Sequence, residues 1–122
     1  MIVLEGKRNK SNQVVDIIKK EIWPGTKTVV FNHLEGRAVK EFITPRDAHV
    51  MNCEPNETPE SVVEAFEEAC GHNVFKEYDW IVFNLEAPID MLDRFKELDR
   101  KYPNNFVVTF RSDDSLTHKY LI

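Results

Sequence analysis

The chain has 122 residues, of which 42% are hydrophobic and 30% are charged, with a formal net charge of −5. These values are typical of a globular protein, and the length predicts one domain over residues 1–122. No apolar run approaches the roughly 18–20 residues that a membrane span needs. The amino-terminal residues lack a charged signal region, and Cys53 and Cys70 lack the spacing of a zinc site or disulfide framework. We therefore expect a cytoplasmic protein without a bound metal.

The charge is unevenly distributed along the chain. Residues 1–46 contain nine Lys and Arg against five Asp and Glu, a balance of +4. Residues 47–99 contain three against fourteen, a balance of −11, and residues 100–122 are at +2. Such asymmetry indicates either a solvated acidic helix face or a surface for a charged partner.

The first quarter of the chain predicts a strand, a helix and a second strand. Ile2–Leu4 is a short apolar strand, and Ser11 or Asn12 can cap the helix that follows. Pro24-Gly25 ends that helix, and the β-branched run Thr26–Asn32 predicts the second strand. The apolar residues at helical spacing are Val14, Val15, Ile18 and Ile22.

The next stretch is less regular until a strong helix start. Within residues 33–46, Val39–Thr44 fits either a strand or a helix, and Asp47–Cys53 predicts a strand. Thr58 is a good cap, Pro59 suits the first helical position, and Gly71 is a natural stop.

The last third of the chain repeats the alternation. Trp80–Leu85 is a nearly continuous apolar run, as expected of a strand covered on both faces. Pro88 and Asp90 open another helix, and Phe106–Phe110 predicts a second buried strand. Thr117–Ile122 ends on apolar residues and predicts a final strand.

Strands that alternate with helices predict a three-layer α/β domain with a mainly parallel sheet. Four unbroken apolar runs are expected as its inner strands: Ile2–Leu4, Thr28–Phe31, Trp80–Phe83 and Phe106–Thr109. Ligands of such sheets bind at the carboxyl ends of the strands. The segments that follow strands are Gly6–Ser11, His33–Gly36, Asn84–Pro88 and Arg111–Asp114.

Three segments carry a family resemblance. They are IVLEGKRNKS at the first strand, YDWIVFNLEAP around the Trp80 strand, and FVVTFRSDD near the carboxyl end. Their order and character resemble the phosphate loop, the acidic strand and the sensor-type strand of P-loop NTPases, in particular the RecA-like branch. The resemblance implies a P-loop-NTPase-like fold over most of the chain.

The phosphate-loop motif has Gly, four residues, Gly-Lys and then Ser or Thr, so that backbone N–H groups and the Lys bind phosphate and the hydroxyl binds Mg²⁺. Here Gly6 is followed by three residues and then Lys10-Ser11, so the second Gly is absent and the loop is two residues short. The acidic position of the second strand holds Asn84, with Glu86 two residues on. The loop is thus degenerate. A weaker anion site remains predicted at Gly6, Lys7, Lys10 and Ser11, because free N–H groups and positive charge coincide at a helix start.

Two further groups are candidate sites. A polar cluster at the strand ends is expected from Asn84, Glu86, Arg111 and Asp113. The acidic helix after Thr58 could dock a basic partner through Glu60, Glu64, Glu67 and Glu68.

Alternation along Asp47–Cys53 places potential metal ligands on one strand face, but a strand edge does not readily converge four ligands. Trp23 and Trp80 lie in apolar segments and are expected in the core.

The sequence favours a small non-enzymatic α/β protein that acts through protein–protein contacts and has no catalytic residues, metal or cofactor. Its brevity would suit a phage or mobile-element accessory protein. The alternative is a nucleotide- or phosphate-binding protein, such as an ATPase completed by oligomerisation. Nucleic-acid binding is disfavoured, because no basic stripe with interleaved aromatic residues is present.

Overall fold

The computed structural model describes residues 1–122 as helices packed on a single sheet. The strands are β1 (Ile2–Gly6), β2 (Thr28–Asn32), β3 (His49–Asn52), β4 (Trp80–Pro88), β5 (Asn105–Arg111) and β6 (His118–Leu121). The helices are α1 (Ser11–Lys20), α2 (Arg37–Phe42), α3 (Pro59–Gly71) and α4 (Leu92–Lys101), the last preceded by a 3₁₀ turn over Ile89–Met91.

The sheet is six-stranded and mostly parallel, in the order β3-β2-β4-β5-β1-β6. Only β6 runs antiparallel, pairing with β1 at the edge. The prediction of a mainly parallel α/β sheet is therefore confirmed. The four strands expected to be internal are internal, because each is apolar on both faces and must be covered by helices on both sides.

Successive residues of each inner strand point to opposite faces, and this divides the core in two. On one face, Val29, Phe83 and Val108 pack with residues of α3 and α4. On the other face, Val30 and Val82 pack with residues of α1 and α2. Helices thus cover both faces, and the arrangement has the three layers that the alternation predicted.

Aromatic rings fill the core on the α3 and α4 face. Phe83 of β4 stacks between Phe31 of β2 and Phe106 of β5, with ring centroids 5.3 and 6.1 Å away. Phe66 and Phe95, from the two helices, meet the Phe83 ring edge-on, each at 5.2 Å. Such packing contributes more than area burial alone, and it fixes how both helices sit on the sheet.

The observed helix starts differ in how well they match the starts that the sequence predicts. The cap of α3 is as predicted: Thr58 Oγ1 accepts from the Ser61 N–H, Ser61 Oγ accepts from the Thr58 N–H, and Pro59 is the first helical residue. At α1, the capping position belongs to Lys10 rather than to Ser11 or Asn12, and Ser11 is the first helical residue. Of the stretch Val39–Thr44, which fitted either a strand or a helix, residues 39–42 belong to helix α2 and Ile43 is extended.

The expectation for Trp23 is wrong. Its side chain is 73% exposed, because it follows Ile22, the last residue of this segment to enter the core, at the turn before Pro24. Trp80 is half-buried at the start of β4.

Among the helices, none combines the length and the apolar character required to cross a membrane.

Phe83→Ala should lower the free energy of unfolding by about 3–5 kcal/mol, since it removes a fully buried ring that four other rings contact. Chemical denaturation measures the change. Phe42→Ala is the matched control, because the Phe42 side chain is 53% exposed; the expected loss there is about 0.5 kcal/mol. Equal losses in the two variants would show that the ring cluster is not the centre of the core.

Candidate functional site

The carboxyl ends of β1, β4 and β5 meet the start of α1, and Lys10 lies at their centre. Its side chain is fully buried. The ammonium group donates hydrogen bonds to the carbonyl oxygens of Gly6, at 2.8 Å, and of Arg8. It also lies 2.6 Å from Glu86 Oε2. A buried ammonium needs such partners, since an unpaired charge in the interior is very costly.

Glu86 binds both the side chain and the backbone of Lys10. Its Oε1 accepts the Lys10 backbone N–H at 2.7 Å, at the amino-terminal end of α1. Its Oε2 makes the ion pair with Lys10 Nζ at 2.6 Å. The carboxylate therefore occupies the place where the free N–H groups and positive end of a helix attract an anion.

An irregularity in β4 aims Glu86 at this place. Phe83 pairs with Val108 and Ala87 pairs with Phe110, so four residues of β4 cover the distance of two on β5. Within this bulge Glu86 adopts φ of +48°, and its N–H donates to Thr109 Oγ1 at 3.0 Å. A bulge commonly redirects a side chain in this manner.

The predicted anion-site residues separate into two groups. Gly6, Lys10 and Ser11 are buried, and Lys10 contacts the Glu86 carboxylate, whereas the Lys7 side chain is exposed. The Lys7 N–H donates to the Asp114 carbonyl at 2.8 Å, which ties the loop to the segment after β5. The loop thus contributes one buried cation, and that cation is already paired.

A buried chain of amide groups extends from the loop to the sheet edge. Asn84 Nδ2 donates to Ser11 Oγ at 3.1 Å and to Asn32 Oδ1 at 2.8 Å. Asn32 Nδ2 donates to the Gly36 carbonyl at 2.9 Å and to Asn52 Oδ1 at 3.0 Å. Asn84 and Asn32 are fully buried, so these bonds are needed to offset their desolvation.

The predicted strand-end cluster borders an open cavity of about 400 Å³. Glu86, Arg111 and Asp113 line it, together with Asp90 of the 3₁₀ turn. The Glu86 side chain is only 5% exposed, while Arg111 and Asp113 are exposed. Asn84 does not line this cavity; it faces Ser11 in the buried amide chain. The structure therefore brings three members of the cluster together and places the fourth apart.

A second cavity, of about 210 Å³, lies where β2 and β3 end and α3 begins, and His33, Cys53 and Glu57 line it. Burial, reinforced by the nearby Glu57 charge, raises the pKa of the Cys53 thiol to about 11. Burial also lowers the pKa of His33, against the opposing charges of Glu86 and Glu35. Because the thiolate is the reactive form of cysteine, Cys53 is not activated as a nucleophile at neutral pH.

The acidic residues of α3 divide between solvent and helix α4. Glu60, Glu64 and Glu68 are exposed. Glu67 instead faces α4, where its carboxylate lies 2.6 Å from Arg94 and 3.6 Å from Lys101. Three of the four predicted partner-binding residues thus face solvent, and the fourth holds two helices together.

Potential metal ligands do not gather anywhere in the chain. No group of three or more His, Cys, Asp or Glu side chains is arranged to hold a metal ion. His49 and Met51 are exposed on the edge strand β3, and both cysteines are free thiols.

Comparison of the chain with protein-family models, with curated proteins and with solved structures gave no significant match. The resemblance to P-loop NTPases therefore stays a prediction, and function has to be argued from the geometry of the site.

Three residues of the site were not predicted: Asn32, Asn52 and Thr109. All three bind residues of the polar network described above. A signal was present in the sequence, since Asn32 and Thr109 are polar residues near the ends of otherwise apolar strands. Their partners come from distant segments, however, and only the strand order brings them together.

Gly36→Ala should destabilise the protein by about 1–3 kcal/mol, the cost of leaving buried polar groups without partners. A Cβ atom at this position would lie 2.0 Å from Asn32 Oδ1, so the amide chain would have to break. Gly71→Ala is the control: nothing lies within 4 Å of its Cβ, and a gain of up to about 1 kcal/mol is expected. Equal stability of the two variants in thermal melting would contradict the role of the amide chain.

Lys10→Met should cost about 3–5 kcal/mol, because it leaves the buried Glu86 carboxylate without its cation. Lys19→Met breaks an ion pair of 3.8 Å with Asp47 whose side chains are 43% and 28% exposed. That control should cost less than about 1 kcal/mol. Urea titration of both variants measures the difference, and similar midpoints would refute a structural role for the buried pair.

Proposed function

We propose that this chain is a non-enzymatic α/β protein that acts through protein–protein contacts, and that its phosphate-type loop is occupied by its own Glu86. The observation that carries the proposal is the buried Lys10–Glu86 pair, with Oε2 at 2.6 Å from Nζ and Oε1 at 2.7 Å from the Lys10 N–H. A phosphate would need the same donors, so nucleotide binding has to compete with an internal carboxylate.

The loop also lacks the groups that hydrolysis requires. Mg²⁺ in such sites is held by a hydroxyl and a carboxylate. Here the Ser11 hydroxyl accepts a hydrogen bond from the Asn84 amide at 3.1 Å, and the amide is neutral. Hard cations prefer charged oxygen ligands, so this pair is a weak magnesium site. These features support a binding protein rather than an ATPase.

The exposed side of α3 supports a protein partner of opposite charge. Glu60, Glu64 and Glu68 are exposed and make no ion pair. Glu60 and Glu64 border a cavity of about 250 Å³ with Asp90 and Arg94, in which the carboxylates outnumber the cation. Charge complementarity steers association, so a basic protein surface is the partner that this side of the helix favours.

The second candidate is a nucleotide- or phosphate-binding protein, completed by a neighbouring copy. The adjacency of Lys10 and Ser11 at the start of α1 favours it, since these are the two loop residues of the motif that are retained.

Millimolar Mg-ATP or Mg-GTP should leave the melting temperature unchanged. A ligand at 100 times its dissociation constant would add about 2.7 kcal/mol, which is several degrees for a chain of this size. Millimolar nucleotide reaches that ratio for any site with a dissociation constant of about 10 μM or tighter. A clear upward shift that Lys10→Ala abolishes and Lys7→Ala retains would overturn the proposal in favour of the second candidate.

The partner surface is tested by substituting its charges. Glu60→Gln, Glu64→Gln and Glu68→Gln are combined in one variant, and affinity capture from the native host compares it with the wild type. A control variant changes three other exposed carboxylates, Glu41, Glu77 and Glu97, to Gln. Loss of the same captured partner from the α3 variant alone supports the proposal, whereas equal loss or equal retention in both variants contradicts it.

A further inference from the structure

Strand β6 forms an edge of the sheet whose outer backbone groups have no partner. The Ile122 N–H donates to the Met1 carbonyl at 2.9 Å, and the Met1 ammonium group donates to the Ile122 carbonyl at 3.0 Å. Because hydrogen-bonded pairs alternate along an antiparallel ladder, Tyr120 is the next residue of β6 whose backbone faces β1. Lys119 and Leu121 therefore direct their N–H and C=O groups away from β1 and into solvent.

β6 lacks most of the features that usually protect such an edge. Natural edge strands carry a proline, a bulge or a charged side chain held over the edge. β6 contains no proline, and it pairs with β1 without a register shift. Its two basic side chains are both held by carboxylates of their own chain: Lys119 Nζ lies 2.6 Å from Glu21 Oε1, and His118 Nε2 lies 2.6 Å from Asp114 Oδ2. The edge is therefore left without a free charge.

Exposed apolar side chains accompany the free backbone groups of β6. The Leu121 side chain is 76% exposed and that of Ile122 is 47% exposed. Leu121 lies on the α1 face of the sheet, since it pairs with Ile2, which packs there. The opposite edge strand, β3, has one large apolar side chain of this kind, Met51. β6 is thus the edge that would bury more apolar surface on pairing with another strand.

A second copy of β6 matches the free groups of this edge. Two antiparallel copies related by a two-fold axis at Tyr120 place Lys119 of each chain opposite Leu121 of the other. These are the residues whose backbone groups point outward, and each such pair can exchange both of its N–H···O bonds. The two Tyr120 rings meet at the axis, and no like charges face each other. A register centred on Lys119 would instead oppose two lysines.

We propose that the chain forms a two-fold symmetric homodimer in which β6 pairs antiparallel with β6 of a second copy, so that the two sheets become one continuous sheet. β6 has four residues, so the interface is small and the dimer is weak, with a dissociation constant of about 10–100 μM. This inference goes beyond the proposed function and does not depend on it. Phe66 of α3 packs against Phe83 of β4, and two strands separate β4 from β6.

Sedimentation velocity over about 5–500 μM protein tests the dimer. The average mass should rise with concentration from 14.3 kDa towards twice that value. Leu121→Lys opposes two lysines across the interface and should weaken association at least about tenfold. Leu116→Lys is the matched control, because Leu116 is 67% exposed, lies outside β6 and receives the same charge; its association should equal that of the wild type. A monomer at every concentration, or equal association of the wild type and Leu121→Lys, would overturn the proposal.

Amide hydrogen exchange on the unmodified chain tests the register. The Lys119 and Leu121 amides should exchange more slowly as the protein concentration rises, because only the dimer gives them partners. The Tyr120 amide faces β1 in both states, so its exchange rate should not depend on concentration. Exchange at Lys119 and Leu121 that is independent of concentration would refute this pairing. A dimer that Met51→Lys abolishes and Leu121→Lys retains would assign the interface to β3, and it would refute the proposal as well.

Discussion

The geometry of the candidate site depends on one buried ion pair between segments far apart in the sequence. Lys10 begins α1 and Glu86 lies in the β4 bulge, yet their charged atoms are 2.6 Å apart with hardly any solvent access. Each group alone would be expensive to bury, so each segment stabilises the position of the other. The pair therefore couples the helix that covers one sheet face to the strand at the centre of the sheet. The same contact determines what the loop can bind, because it consumes the donors that an outside anion would use.

The polar edge of the sheet is organised around neutral amides rather than charges. Asn84 donates a hydrogen bond of 2.8 Å to Asn32 on the neighbouring strand, and their remaining amide groups reach Ser11, Asn52 and the Gly36 carbonyl. In a low-dielectric interior such bonds have definite geometry and leave little freedom to rearrange. A network of this kind stabilises the ends of the strands. It does not supply the negative charge that metal-dependent phosphate chemistry requires.

Much of the fold could be predicted from the sequence, because the controlling signals are local. The inner strands follow from apolar runs, and the start of α3 follows from Thr58 and Pro59. The candidate site could be predicted less completely from the sequence. Lys10, Ser11 and Glu86 could be named as candidates, but the ion pair depends on a bulge, and no residue pattern in β4 specifies a left-handed Glu86. The prediction that Trp23 lies in the core was wrong. The apolar character of a side chain does not determine whether the turn that carries it directs the side chain into the core or into solvent.

The strand order has a consequence for the time course of folding. β1 pairs only with β5 and β6, the last two strands of the chain. During synthesis, β1 therefore leaves the ribosome long before its partners exist, while β2, β3 and β4 can already assemble. Contacts so distant in sequence slow folding, and unpaired strands are prone to association in the meantime. The Lys10–Glu86 pair closes only when β1 inserts between β5 and β6, so the candidate site is complete only once the final strands have emerged.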